Sequence, residues 1–202
     1  PPPLFSSRRR ITRLAILSRG LGDVYKRQAQ ALIAEDPGSY FYINQNENPD
    51  NVLAHSLGTT AEIAQQLDGE IDAFVAGFGT GGTLMGAAQY FRDQGIGARI
   101  VAVEPGGEPR AKIDGLKHSS ETYQPPIYDR NLLDTTIEVP EDAAYDTTRK
   151  IASREGVIAG LSSGASLWAA QQIASEMDSG NIVVVFGDRG ERYFSTRLFE
   201  FD

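Results

Sequence analysis

The stretch that most constrains this chain is IDAFVAGFGTGGTLMGAAQYF, residues 71–91. An apolar run leads into six residues, 77–82, of which four are glycine, and these lead into a helical pattern with Leu84, Ala87, Ala88 and Phe91 on one face. That order builds a phosphate cradle. Glycines let the backbone turn tightly and approach an anion, while the first amides of the helix have no partners within it and point outward. Thr80 and Thr83 add hydroxyls on either side.

The chain around it reads as α/β. ARIVAVE (residues 98–104) is a second apolar strand, so strand, helix and strand follow one another as a βαβ crossover over a parallel sheet. TTIEV (135–139) and NIVVVF (181–186) add two more strands, the latter patterned for burial on both faces. A helix is expected over residues 141–155 with Gly156 as its C-cap, and another over 167–177 capped by Ser162 or Ser163. Residues 52–67 are helical in pattern, and YFYI (40–43) reads as a short strand. The expected fold is a three-layer sandwich with at least four mostly parallel strands. Residues 105–133 show little periodicity, and an ordered loop of that length tends to be functional.

Charge divides the chain. Residues 1–28 carry seven of the 19 basic residues and one acid, leaving 12 basic against 26 acidic residues, a net of −14, from Ala29 onward. The basic leader suits a scar sequence, with GDVYKRQ (22–28) as its junction, in preference to an organelle-targeting or disordered tail. Residues 29–202 are then the folded domain, and a cytoplasmic location is expected. The overall charge of −8 argues against nucleic acid as a partner, and no run approaches a membrane span. With no cysteine and two isolated histidines, His55 and His118, no metal site is expected.

Three chemistries compete for the glycine loop. Gly77, Gly79 and Gly82 satisfy G-x-G-x-x-G, and Glu104 stands where an NAD-binding fold places its ribose-binding acid. GLSSG (160–164) matches the serine-hydrolase elbow, but both histidines precede Ser162, opposite to the order that fold needs. The third reading joins five motifs: GTGGT (79–83), VEP (103–105), KIDGL (112–116), EGVIAGLSSGA (155–165) and GERYFST (190–196). Their order and spacing, with NPDN (48–51) and His55 upstream, resemble the cysteine synthase and cystathionine β-synthase family of pyridoxal-phosphate enzymes, fold type II, over its C-terminal part.

The resemblance implies pyridoxal 5′-phosphate as cofactor, with Gly79, Thr80, Gly81, Gly82 and Thr83 on its phosphate and Ser162 on its pyridine nitrogen. It implies Gln45 and Gly115 on the substrate side, a small amino-acid substrate, and a homodimer at full length. The implied reaction is β-replacement, O-acetylserine or a related activated serine plus sulfide giving cysteine. The family's Schiff-base lysine lies in a Ser-x-Lys-Asp-Arg-like motif that these 202 residues do not contain. None of the four lysines, Lys26, Lys112, Lys117 and Lys150, has that context, so the chain alone is expected to be inactive.

Overall fold

The computed structural model describes residues 22–120 and 123–199, with side chains from Arg27 onward. By their contacts the described residues up to Asn44 and those from Gln45 onward form separate compact units. The first contains helix α1 (Gly22–Glu35), which runs through the change of charge at residue 28 and ends in a turn where the Ser39 amide donates to the Asp36 carbonyl. The expected leader falls mostly on residues 1–21, outside the described residues. The expected strand at residues 40–43 does not form: the segment joins none of the strands among the described residues, and Phe41 is 77% exposed. Aromatic and β-branched residues favour a strand only where a neighbour offers pairing and packing.

The second unit opens with α2 (Asp50–Ala54), a π-helical turn (His55–Thr60) and α3 (Ala61–Gln66), one continuous rod closed by Asp68 and Gly69 at positive φ. Next come β1 (Ala73–Gly77), α4 (Gly82–Gln94), β2 (Arg99–Pro105), a long loop, β3 (Thr135–Val139), α5 (Glu141–Glu155), α6 (Leu161–Ser175) and β4 (Ile182–Val184). The sheet order is β3-β2-β1-β4, every pair parallel, with Ala73 opposite Arg99 and Ile182.

Alternation along the central strands makes three layers. Ala73, Val75, Val101 and Val103 pack with Ala144 of α5 and Ala165, Ala169 and Ile173 of α6. Phe74, Ala76, Ile100 and Ala102 face the other way, onto Ala64 of α3 and Leu84, Ala88 and Phe91 of α4. Hence β1 and β2 read as unbroken apolar runs: both faces are covered.

β4 differs from expectation. It is shorter than the apolar run, and its residues are only partly buried, because among the described residues it pairs with β1 alone, at the end of the strand order. α6 differs too. It starts at Leu161, so Ser162 and Ser163 lie inside its first turn, and the cap is Gly160 with no side-chain bond. The small residues permit this early start: Gly164 is set so tightly against Thr148 of α5 that a Cβ there would collide with the threonine hydroxyl. A helical approach, not a turn, is what that glycine serves.

Candidate cofactor site

In the strand order the chain leaves β1 for β2 on one side and returns later to β4 on the other. β1 therefore ends at the topological switch point, where parallel α/β sheets open a crevice beyond their carboxyl ends. The glycine loop occupies that place. Gly81 has φ +88°, a conformation that disfavours other residues, and the Tyr128 ring covers it, with Cδ2 2.6 Å from where a Cβ would stand. Tyr128 also stacks on Phe78, ring centroids 4.3 Å apart. The first intrahelical bond of α4 runs from the Met85 amide to the Gly81 carbonyl. The amides of Thr83 and Leu84 therefore lie ahead of the ladder, free to meet an anion.

The two threonine hydroxyls are held from α2 and the π turn. Asn51 donates from Nδ2 to Thr80 Oγ1 at 3.0 Å and to the Gln45 carbonyl at 2.7 Å, and the Gly82 amide donates to Thr80 Oγ1 at 3.3 Å. His55 Nε2 lies 3.2 Å from Thr83 Oγ1 and Nδ1 lies 3.1 Å from Thr59 Oγ1. Burial holds the His55 pKa below its ordinary value. The sequence pattern marked Asn51 and His55 without giving them a task. Their spacing of four, matched by Gly82 and Gly86 on the facing helix, was the available signal.

The long loop supplies the opposite wall. Gly115 has φ +91°, and its carbonyl lies 3.2 Å from the Cβ position of Gly79. Its own Cβ position is 3.6 Å from Ser162 Oγ, so Gly79, Gly115 and Ser162 converge. The Lys117 amide donates to the Phe78 carbonyl at 2.7 Å, and Lys117 Nζ reaches Asn46 Oδ1 at 3.5 Å. Gln45 is exposed and contributes its carbonyl to Asn51.

The GERY segment, a 3-10 turn at Gly190–Tyr193, closes under the start of α6. An isolated bridge pairs Ala159 with Arg189, and the Gly190 amide donates to the Ile158 carbonyl at 3.0 Å. Tyr193 donates to Asp188 Oδ2 at 2.8 Å; burial first and then that bond push its pKa well up.

Two rival chemistries lose their residues. Glu104 is 1% exposed, and its Oε2 accepts from the Ser119 amide and hydroxyl at 2.9 and 3.0 Å. It is a buried anchor for the long loop and cannot reach a ribose. Ser162 lies inside a helix instead of on a strand-to-helix elbow, and the histidine rings bond elsewhere: His55 to threonines, His118 to Glu138 and Ser120. Among the described residues no group of three or more His, Asp or Glu is placed to hold a metal, and no helix is long and apolar enough to cross a membrane.

Parallel sheet, switch-point glycine loop, uncommitted amides and hydroxyl donors fit the phosphate of a cofactor, and the serine beside Gly115 fits a heteroaromatic ring. Residues 12–188 match the family described as pyridoxal-phosphate dependent enzyme, and the chain belongs to that family. Within it, the chain is 41% identical over 172 residues to a cysteine synthase of Aquifex aeolicus, covering 83% of this chain and 52% of that protein. A cysteine synthase of Staphylococcus aureus is 42% identical over 173 residues, covering 81% and 55% respectively.

Among solved structures, a cysteine synthase of Entamoeba histolytica superposes with a TM-score of 0.79 at 32% identity, covering 88% of this chain and 54% of that one. An O-ureido-L-serine synthase gives 0.76 at 34% identity, covering 90% and 58%. The fold is thus that of fold type II pyridoxal-phosphate enzymes, and the chain spans about half the length of the curated relatives it matches. Family membership makes pyridoxal 5′-phosphate the cofactor and sets aside the NAD reading.

Proposed function

We infer that this chain carries the phosphate- and ring-binding part of an enzyme that replaces the β-substituent of an activated serine, on the pattern of cysteine synthase: O-acetylserine or a related ester plus sulfide, giving cysteine and the released acid. The observation that carries the reading is the convergence of Gly79, Gly115 and Ser162 at the switch point. When bound, the cofactor supplies an electron sink for negative charge developing at the substrate α-carbon.

The chain's own residues hold and orient. Thr80, Thr83 and the first amides of α4 take the phosphate, with Gly79, Gly81 and Gly82 keeping the backbone close to it. Ser162 meets the pyridine nitrogen with a neutral hydroxyl, which does not force that nitrogen to stay protonated as a carboxylate would. Gly115 lines the substrate side, and Gln45 is assigned to the substrate carboxylate. In this reading the complete protein is a cytoplasmic homodimer.

The 202 residues as they stand do not turn over substrate, because none of the four lysines has the Ser-x-Lys-Asp-Arg-like setting. Incubation with pyridoxal 5′-phosphate, borohydride reduction and peptide mapping test this. We expect saturable binding, no single dominant lysyl adduct and no cysteine from O-acetylserine and sulfide. An adduct confined to one lysine, Lys117 being the one beside the polar turn, together with turnover, would refute the claim of inactivity. Saturable NAD binding abolished by Glu104→Ala would refute the cofactor reading.

A further inference from the structure

Asn51 and His55 stand four residues apart on one rod, and Gly82 and Gly86 stand four apart on the helix that faces it. A Cβ on Gly82 would collide with the Asn51 amide, and one on Gly86 would lie 2.6 Å from His55 Cβ and 2.8 Å from the Val52 carbonyl. The two glycines thus bring each polar side chain against one threonine of the loop. The consequence lies in where the hydroxyl protons go.

A hydroxyl has one proton to give and two lone pairs to fill. Thr80 Oγ1 accepts from Asn51 Nδ2 and from the Gly82 amide, which fills both lone pairs and leaves its proton to donate outward. The Asn51 amide cannot reverse roles, since its other N–H is bound to the Gln45 carbonyl.

Thr83 depends on the His55 tautomer. With its pKa lowered by burial the ring is neutral near pH 7, with one donor and one acceptor nitrogen. A proton on Nδ1 would leave Nε2 to take the Thr83 proton, and that hydroxyl would have nothing to offer an anion. A proton on Nε2 fills a lone pair of Thr83 and frees its proton, while Thr59 has its own proton to give Nδ1.

We propose that Asn51 and His55 are positioning residues that set both loop threonines as donors to the phosphate ester, with His55 carrying its proton on Nε2. The proposal rests on the phosphate reading of the loop and extends it to the residues behind it. The π-helical turn beginning at His55 fits this role, since π-helical turns occur frequently at functional sites.

Two measurements on the full chain decide it. Long-range proton–nitrogen couplings in histidine-labelled protein, with His55 assigned by its loss in His55→Gln, report the tautomer before any ligand is added. We expect the Nε2–H form; an Nδ1–H form overturns the proposal. The second measurement compares dissociation constants for pyridoxal 5′-phosphate and pyridoxal, a ratio to which simple loss of folding is blind.

Asn51→Ala and His55→Leu should each cut the preference for the phosphorylated ligand about tenfold, as expected for one lost charge-assisted donor. His55→Gln, whose amide can still donate to Thr83, should recover most of it. Equal weakening of both ligands in Asn51→Ala and His55→Leu overturns the proposal. A wild-type chain with no preference overturns the phosphate reading itself, and the tautomer then still decides the orientation of His55.

Discussion

Two helices in this protein begin in glycine-rich, hydroxyl-bearing segments, and they use them differently. α4 starts at a left-handed glycine, Gly81, and its glycines face partners from other elements: Asn51 at Gly82, His55 at Gly86, Tyr128 at Gly81. α6 starts at Gly160 in extended conformation, φ −79° and ψ 170°, and its Gly164 serves close packing on α5. At α4 the threonine hydroxyls are drawn into a network reaching the loop. At α6 Ser163 Oγ is buried with no hydrogen-bond partner among the described residues, and Ser166 bonds back to the Ser162 carbonyl at 3.0 Å. Glycine and hydroxyl content alone does not make an anion site. In the proposed reading, what makes one is a left-handed start that leaves the first amides facing a crevice, with side chains behind it to fix the hydroxyl protons.

The strongest way to break the contrast is to fill a glycine in each helix. Gly82→Asp places a side chain into Asn51 and a negative charge into the cradle; affinity for pyridoxal 5′-phosphate should fall by about a hundredfold or more, since like charge and lost donors act together. Gly164→Ala forces a methyl against Thr148 Oγ1 and to 2.6 Å from the Ala144 carbonyl, so stability should fall by about 1–3 kcal/mol through overpacking. Its phosphate preference, measured on folded protein, should stay within about threefold, well under the tenfold expected of a lost charge-assisted donor. Equal loss of that preference in both variants would show that the two starts are not functionally distinct.

Next in size is Gly81→Ala. The left-handed conformation costs a side-chain-bearing residue about 1–2 kcal/mol, and the Tyr128 ring adds a steric demand. Adding Tyr128→Leu should return the steric part and leave the conformational part, visible as a partial recovery of the urea midpoint. Full recovery would mean that the ring, not φ, makes glycine necessary.

How legible these regions are in the sequence follows from how local their causes are. Gly81, Gly82 and the threonines are readable because tight turns and helix starts are properties of a few consecutive residues. α5 with Gly156 as its cap, at φ +69°, is readable for the same reason. The start of α6 is not, because Gly164 takes its meaning from Thr148, on another helix. β4 looks like a strand buried on both faces and stands at the end of the described strand order, a fact set by sheet order and not by its own residues. The aromatic run at residues 40–43 fails similarly: its propensity alone does not place it in the sheet. Asn51 and His55 lie between these extremes: their spacing is in the sequence, but the threonines they hold lie 29 and 28 residues away along the chain.

A pH experiment sharpens the α4 side alone. His55 has its pKa lowered by burial, so the unfolded chain, titrating near 6.5, binds the proton more readily than the folded one. Stability that depends on the neutral ring is therefore complete above about pH 6.5 and is lost as pH falls below it. Urea midpoints from pH 7.5 to 5.5 should decline more steeply in the wild type than in His55→Gln, by a small margin because the ring is only partly buried. A steeper decline in the variant would mean that protonated His55 is favoured in the folded state.

The smallest expected effect tests the α6 side and the role of Ser162. A serine that capped α6 would be worth about 1 kcal/mol, which alanine would remove. Here Gly160 is the cap, without a side-chain bond, and Ser162 sits in the first turn with its hydroxyl toward Gly115. Ser162→Ala should change stability by less than about 0.5 kcal/mol, as for a substitution that breaks no structural bond. Its effect should appear only with cofactor present, as a shift in the absorption of bound pyridoxal 5′-phosphate and a loss in affinity of about fivefold, the size of one neutral hydrogen bond. That loss should be shared equally by pyridoxal, because the contact proposed for Ser162 is with the ring and not the phosphate. A loss confined to the phosphorylated ligand would move Ser162 from the ring to the cradle, and the two helix starts would then serve one anion together.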